Sequence, residues 1–114
     1  MIILLLTAEN QTQPANQWVT VDRNPVSLAL TQQEADNGHF PELLDAEKVA
    51  RDYIQNTLEL GPIKDIKFRT TYTLKAELLA TLNDGRQIEI TLVRPVRKDE
   101  GGIWAVDRYR IRNR

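Results

Sequence analysis

Residues 73–93 read TLKAELLATLNDGRQIEITLV, in which apolar residues alternate with others on both sides of an Asn-Asp-Gly-Arg sequence. A period of two in apolar residues is typical of strands with one buried face. The dipeptide Asp84-Gly85 tolerates the positive φ angles of a tight turn, so the stretch predicts a β-hairpin that turns at 83–86. The alternating apolar residues are Leu74, Ala76, Leu78, Ala80 and Leu82 before the turn, and Ile88, Ile90 and Leu92 after it.

The same alternation continues on both sides of the hairpin. Residues 63–72 and 103–112 each predict a further strand, and a loop containing Pro95 precedes the last one. Between Tyr72 and Leu74 there is no strong turn signal, so a bulge or a bend in one long strand remains an alternative to a turn. The sequence predicts an antiparallel meander of about four strands.

A helical period precedes the strands. Asp45 is suited to cap the start of a second helix, and Gly61-Pro62 ends the segment. Apolar and small residues recur between them at spacings of three and four, which predicts a helix with one buried face. These residues are Ala46, Val49, Ala50, Tyr53, Ile54, Thr57 and Leu58.

An earlier helix is predicted from its ends. Asn24-Pro25 gives a capping residue followed by proline at the first helical position, and the helix runs to about Asn37, before Gly38. One face of this helix carries Val26, Ala29, Leu30 and Gln33. The segment before it, residues 18–21, is expected to pack as a short extended piece.

The order of elements predicts the architecture. One face of the sheet needs a cover, and the amphipathic second helix supplies it. We expect one α+β domain over residues 1–114, with a helical part at 24–61 and an antiparallel sheet at 63–112 wrapped on the second helix. Within residues 1–17, the run MIILLLTA is too short to span a bilayer and is interpreted as a strand or a leader remnant, followed by a polar arm.

Composition and charge narrow the functional classes. The chain is 41% hydrophobic and 27% charged, which is typical of a folded domain, and it contains no cysteine, which excludes disulfides and thiolate metal sites. Up to Pro62 the chain has nine acidic and three basic residues; beyond it, seven acidic and twelve basic. This asymmetry favours either an acidic partner for the second half or pairing of the two halves.

The only histidine lies in residues 36–45, DNGHFPELLD. An imidazole beside a carboxylate is suited to general base chemistry, so His39 with Asp36, and Tyr53 on the following helix, are candidate ligand-binding residues. The alternative interpretation, which we favour, is a connection between two helices in which Phe40, Leu43 and Leu44 are apolar anchors. One histidine with irregularly spaced carboxylates matches no metal-ligand pattern, so no metal, cofactor or catalytic residue is assigned.

A row of arginines marks the last predicted strand. Arg108, Arg110 and Arg112 are expected on one strand face together with Trp104 and Val106. Such a row can bind phosphates or another anionic polymer, or it can pair with acidic neighbours across the sheet such as Glu77, Glu89 or Asp107, which we favour. Because the pI is about 5.8, nucleic acid is not the expected partner.

The segment ADNGHFPELLD, with Gln32 before it and Val49-Ala50 after it, resembles a "DxGHxPW-x-LDP…VA" stretch of uncharacterised bacterial secreted or lipoprotein domains. Glu42 stands where tryptophan is common in that stretch, and Ala46 where proline is common. The resemblance implies an extracytoplasmic or secreted location, with a cytoplasmic one still open.

A second resemblance is architectural. A long helix followed by a meander that ends in Gly-Gly-Ile-Trp-Ala-Val, residues 101–106, is similar to cystatin-like and nuclear transport factor 2-like folds. These folds host enzymes, binding modules and dimerisation domains. We therefore expect a non-catalytic protein-interaction module with a protein partner or self-association, and keep two alternatives open. They are a ligand-binding protein or enzyme with a pocket between helix and sheet, and binding of an anionic polymer through the arginines.

Overall fold

The strands form where apolar and polar side chains alternate. The computed structural model of the chain describes residues 16–113 and shows the expected α+β fold. The strand or leader remnant predicted in MIILLLTA, and most of the polar arm after it, lie outside the described residues. One antiparallel sheet has the strand order β1-β5-β4-β3-β2, so the four predicted strands form a meander and a short fifth strand pairs with its end. The strands are β1 Val19–Thr20, β2 Ile63–Thr71, β3 Lys75–Leu82, β4 Gln87–Val93 and β5 Ala105–Arg112.

Two of the three connections in the meander are tight turns. Gly85 has a φ of 97°, as the Asp-Gly turn requires, and its N–H donates to the Leu82 carbonyl at 3.0 Å. The other connection, which the sequence left open, is a turn in which the Tyr72 N–H donates to the Lys75 carbonyl at 2.7 Å. Strands β2 and β3 are therefore two strands rather than one bent strand.

Two helices precede the sheet. Helix α1 is Pro25–Asp36, capped by the Asn24 side chain, which accepts from the Ser27 N–H at 3.1 Å. Helix α2 is Ala46–Asp52, capped in the same way by Asp45, and it continues as a π-helical turn, Tyr53–Thr57. A 3₁₀ turn, Pro41–Leu44, joins the two helices. Both N-caps confirm the sequence prediction.

The sheet and α2 share one hydrophobic core, as predicted. The face of the sheet that carries this core is called the inner face, and the opposite face the outer face. From the helical side Ala46, Ala50 and Ile54 enter the core, with Val49 and Tyr53 at its margin. The inner face contributes Ile66, Ala76, Leu78, Ala80, Leu82, Ile88, Ile90, Leu92, Val106 and Tyr109.

Helix α1 does not present the predicted face to the core. Val26 is 70% exposed and Leu30 is 58% exposed, whereas Gln32 is buried. The Gln32 amide donates to the Gly101 carbonyl, and its oxygen accepts from the Ile103 N–H, each at 2.9 Å. The prediction was wrong because this helix is anchored by a polar side chain that pairs with buried backbone groups, which apolar periodicity does not reveal.

The arginines of β5 do not share a face with Trp104 and Val106. Arg108 pairs with Thr91 while Val106 pairs with Leu92, so Asp107 is an extra residue in β5, a β-bulge. The bulge resets the alternation, and Val106 and Tyr109 both face the core although they lie three residues apart. The expected shared face was therefore wrong, and the arginines lie on the outer face.

The loop before β5 is held by a buried cation. Arg94 stacks on the Trp104 ring, 4.2 Å from its centre, and donates to the carbonyls of Gly102 and Thr73 at 3.1 and 2.5 Å. A Cβ on Gly102 would lie 1.9 Å from the Arg97 carbonyl oxygen, so only glycine fits there. Arg94 thus fastens this loop to the β2–β3 turn.

Candidate functional site

The outer face of the sheet is polar and predominantly basic. Because α2 packs on the inner face, no helix within residues 16–113 is part of the outer face of β2 to β5. The alternation of each strand and the pairing register place six basic and three acidic side chains on the outer face. They are Lys67, Arg69, Lys75, Arg108, Arg110 and Arg112, and Asp65, Glu77 and Glu89.

Glu89 lies at the centre of the outer face and binds three arginines. Its side chain is 9% exposed and accepts from Arg69 at 2.9 Å, Arg110 at 2.6 Å and Arg112 at 3.3 Å. Burial disfavours the charged carboxylate, but the hydrogen bond from Arg110 and the three positive charges outweigh it and hold the pKa of Glu89 below its ordinary value. Arg110 and Arg112 are therefore compensated within the protein, as the favoured sequence interpretation expected.

Arg108 has a different partner. Its guanidinium carbon lies 4.0 Å from the centre of the Trp18 ring, and that of Arg110 lies 4.6 Å from the same centre. Within residues 16–113 Arg108 makes no ion pair, so its charge is not compensated by a contacting carboxylate. Cation–π stacking fixes this arginine in place while its N–H donors stay available.

A depression of about 350 Å³ opens beside Trp18 on the outer face. Arg69, Glu77, Glu89 and Arg110 contribute to its walls. The Thr70 hydroxyl donates to Glu77 at 2.7 Å and, with smaller contributions from nearby basic groups, holds the pKa of Glu77 below its ordinary value. The depression therefore presents fixed charges of both signs.

His39 lies outside these contacts. Its side chain is 61% exposed, and Nδ1 lies 2.5 Å from a carboxylate oxygen of Glu34, not of Asp36 or Asp45. Asp36 instead accepts from Gln32 and Arg97 at 3.0 Å each, and these two hydrogen bonds lower its pKa. His39 and Asp36 thus have separate partners, and the segment 36–45 connects α1 to α2.

The apolar anchors of that connection differ in burial. Leu43 is half-buried, but Leu44 is 37% exposed and Phe40 is 46% exposed. Phe40 also adopts a left-handed φ of 55°. Two of the three expected apolar anchors are therefore exposed.

Tyr53 lies in another place. Its ring packs against Tyr109 with the ring centres 6.0 Å apart, and it lines a cleft of about 440 Å³ between the helices and β5. Neither His39 nor Asp36 lines that cleft. The structure therefore does not bring the three predicted ligand-binding residues into one pocket.

Trp18 and Arg69 were not identified from the sequence as residues of the outer face. Trp18 reaches the face because β1 pairs with β5, with Val19 opposite Tyr109 and Thr20 opposite Arg108, and no local pattern specifies that pairing. Arg69 reaches Glu89 from β2, where a register shift between Phe68 and Thr70 displaces it. Glu89 itself was identified only as a pairing partner of the arginines.

Two further features are absent from the described part of the chain, namely a metal-binding cluster and a membrane-spanning helix. Among residues 16–113 no group of three or more His, Asp or Glu side chains is arranged to hold a metal ion. In the same part of the chain, none of the helices is long and apolar enough to cross a membrane. Comparison with protein-family models, with curated proteins and with solved structures gave no match to this chain.

Proposed function

We propose that this protein is a non-catalytic, extracytoplasmic interaction module whose outer sheet face binds an acidic segment of a protein partner. The observation that carries the proposal is Arg108, stacked on Trp18 without an ion pair in residues 16–113, on a face with twice as many basic as acidic side chains. Arg108 is half-buried and held against Trp18; an immobilised guanidinium pairs well with a carboxylate, and tryptophan and arginine are typical interface anchors.

A protein partner fits this surface better than a nucleic acid. Glu77 and Glu89 lie among the arginines and would repel a continuous row of phosphates, and the pI of about 5.8 adds no long-range attraction. A protein segment, by contrast, can place carboxylates beside Arg108 and neutral or basic groups beside the two glutamates. Charge complementarity therefore favours an acidic segment with mixed side chains.

The absence of catalysis in this proposal is supported by the separation of His39, Asp36 and Tyr53, because catalysis requires groups that converge on one reacting atom. The extracytoplasmic location rests on the resemblance of residues 32–50 alone. Cell fractionation of the full chain tests it, and recovery in the soluble cytoplasmic fraction contradicts that part of the proposal.

Binding is tested by titrating the protein with a short peptide of alternating glutamate and threonine. Trp18 is 37% exposed and Trp104 is buried, so a change in tryptophan fluorescence reports on the outer face. We expect saturable binding that weakens as salt is added and that falls about five-fold or more in Arg108→Gln. Arg86→Gln is the matched control, because Arg86 pairs with Asp84 at the far hairpin.

Three results contradict the proposal. They are no saturable fluorescence change, equal binding of a lysine–threonine peptide, and equal losses in Arg108→Gln and Arg86→Gln. Self-association is a separate outcome, because the helical part of a second copy is acidic and is also able to contact the outer face. Light scattering without peptide distinguishes it: a mass that rises with protein concentration and falls in Arg108→Gln identifies a second copy as the partner.

A further inference from the structure

A second candidate surface lies on the helical side of the sheet. The cleft of about 440 Å³ is bounded by the start of α1, the π-helical turn and the first residues of β5. Its volume lies within the range of sites that hold small organic molecules. Val21, Leu28, Val49 and Val106 give it an apolar floor, so it offers burial to a ligand with one apolar face.

The π-helical turn shapes one wall of the cleft. The Leu58 N–H donates to the Tyr53 carbonyl at 2.9 Å, five residues back, which widens the helix at this point. Three of the five residues in the turn, Tyr53, Asn56 and Thr57, line the cleft. A π turn interrupts regular helix geometry and occurs frequently at functional sites, where it re-aims side chains.

The polar groups of the cleft have unused hydrogen-bonding capacity. Within residues 16–113, the side chains of Tyr53, Asn56, Thr57 and Ser27 have no hydrogen-bond partner, although all four line the cleft. Burial, with a smaller contribution from the neighbouring Tyr109, raises the pKa of Tyr53, so its phenol keeps its proton and remains a donor near neutral pH. The cleft thus presents hydroxyl and amide groups around an apolar floor.

The charges of the cleft argue against an anionic ligand. Arg23 is its only basic lining residue among those described, and it is paired with Asp107 at 2.8 Å. Asp22 and Asp52 also line the cleft, and Asp52 lies 3.4 Å from the Lys48 ammonium. A carboxylate or phosphate would therefore meet like charge and no free cation, whereas neutral hydroxyl groups can donate to the aspartates and accept from the other side chains.

We propose that this cleft binds a neutral, hydroxyl-rich molecule with one apolar face, which is the chemistry of a saccharide unit. The proposal concerns a different surface from the outer face and does not depend on the proposed protein partner. A free sugar and one residue of a longer saccharide present the same groups, so the two sources are separated by the probes. The chain contacts one sugar residue at Tyr53, Asn56 and Thr57.

The test is saturation-transfer NMR on the full chain with N-acetylglucosamine, its linear tetramer and, as an anion control, citrate. We expect transfer to sugar protons and none to citrate. Tyr53→Phe and Asn56→Ala should each weaken sugar binding about five-fold, since each removes hydrogen bonds to the ligand. Tyr72→Phe and Asn37→Ala are matched controls outside the cleft and should leave binding unchanged.

Stronger transfer to the tetramer than to the single sugar identifies one residue of a longer saccharide as the ligand. Equal transfer to the two identifies a free sugar. Both outcomes support the proposal. Absence of transfer to both saccharides overturns it. Equal transfer to citrate overturns it as well, as does unchanged sugar binding in the Tyr53→Phe, Asn56→Ala double variant. The circular dichroism spectrum of that variant establishes that it is folded.

Discussion

The inner face of the sheet is apolar and buried, whereas the outer face of the same strands is polar and carries paired charges. On the inner face, Leu78, Ile88 and Ile90 are at most 1% exposed and belong to the hydrophobic core. On the outer face, Glu89 is equally central but binds Arg69, Arg110 and Arg112. Burial of apolar area stabilises the inner face, whereas on the outer face Glu89 and its three arginines neutralise one another's charge.

This difference separates stability from recognition. The core side chains of the inner face are buried, so their substitution should affect binding to the outer face only through folding. The outer face retains Arg108, whose charge is not compensated by an ion pair in residues 16–113, at the edge of a compensated cluster. Substitutions on the two faces should therefore have separable effects, which the following experiments measure from the largest to the smallest.

The largest effect is expected on the inner face. Ile90→Ala removes a side chain that is 1% exposed and leaves a cavity, so we expect a loss of about 2–5 kcal/mol in the free energy of unfolding. Leu79→Ala is the matched control, because Leu79 lies on the outer face of the adjacent strand and is half-buried; its loss should be about 1 kcal/mol. Urea denaturation measures both, and equal losses contradict the assignment of the faces.

Substitution of Glu89 should give the second-largest loss in the free energy of unfolding. Glu89→Gln keeps the shape but leaves three guanidiniums without a charged partner, so we expect a loss of about 1–3 kcal/mol at neutral pH. Glu77→Gln is the control and should cost less, because Glu77 is more exposed and has one basic neighbour in contact. Chemical denaturation near pH 7 compares the two.

The effect of Glu89 should also depend on pH. The pKa of Glu89 is lowered on folding, so its stabilising contribution is fully present above its unfolded pKa of about 4.5 and is lost as the pH falls through the lower, folded value. The difference in stability between the natural protein and Glu89→Gln should therefore be constant near neutral pH and shrink below about pH 4.5. A difference that grows on acidification contradicts this account of the cluster.

The attachment of helix α1 to the rest of the domain should depend on the Gln32 side chain. Gln32→Ala leaves the buried Ile103 N–H without its acceptor, so we expect a loss of about 1–2 kcal/mol, concentrated in α1 and the loop before β5. Hydrogen exchange should quicken there while β3 and β4 stay protected. Gln33→Ala, at the exposed neighbouring position, should change neither exchange nor stability by more than about 0.5 kcal/mol.

The smallest effect is expected at the exposed side of α1. Leu30→Gln should change stability by less than about 0.5 kcal/mol, because Leu30 is 58% exposed. Leu28→Gln should cost more, because Leu28 is half-buried and lines the cleft. Thermal unfolding distinguishes them, and a larger cost for Leu30→Gln would restore the apolar face that the sequence predicted for α1.

Local patterns predicted most of the fold. The alternation around Asp84-Gly85, the Asp45 cap and the Asn24-Pro25 start each depend on neighbouring residues, and each is where it was expected. The main failure within an element was β5. A bulge at Asp107 changes which side chains share a face, and neither glycine nor proline marks the position.

The candidate sites were harder to predict because they join distant segments. Trp18 and Arg108 are ninety positions apart and meet through a two-residue strand pairing. Gln32 pairs with the backbone of Ile103, which no periodicity indicates. The π turn at Tyr53 is also not indicated by the sequence, because its residues follow the same spacing of three and four as a regular helix.

The most direct test of the central claim, that the outer face is the binding surface, is methyl NMR during titration with the glutamate–threonine peptide. Leu79 on β3 and Thr91 on β4 lie on the outer face, whereas Ile88 and Ile90, both on β4, lie on the inner face. We expect the methyl signals of Leu79 and Thr91 to move and broaden while those of Ile88 and Ile90 stay in place, and we expect Arg108→Gln to suppress the change. Movement confined to Ile88 and Ile90, or to residues of the cleft, contradicts the account.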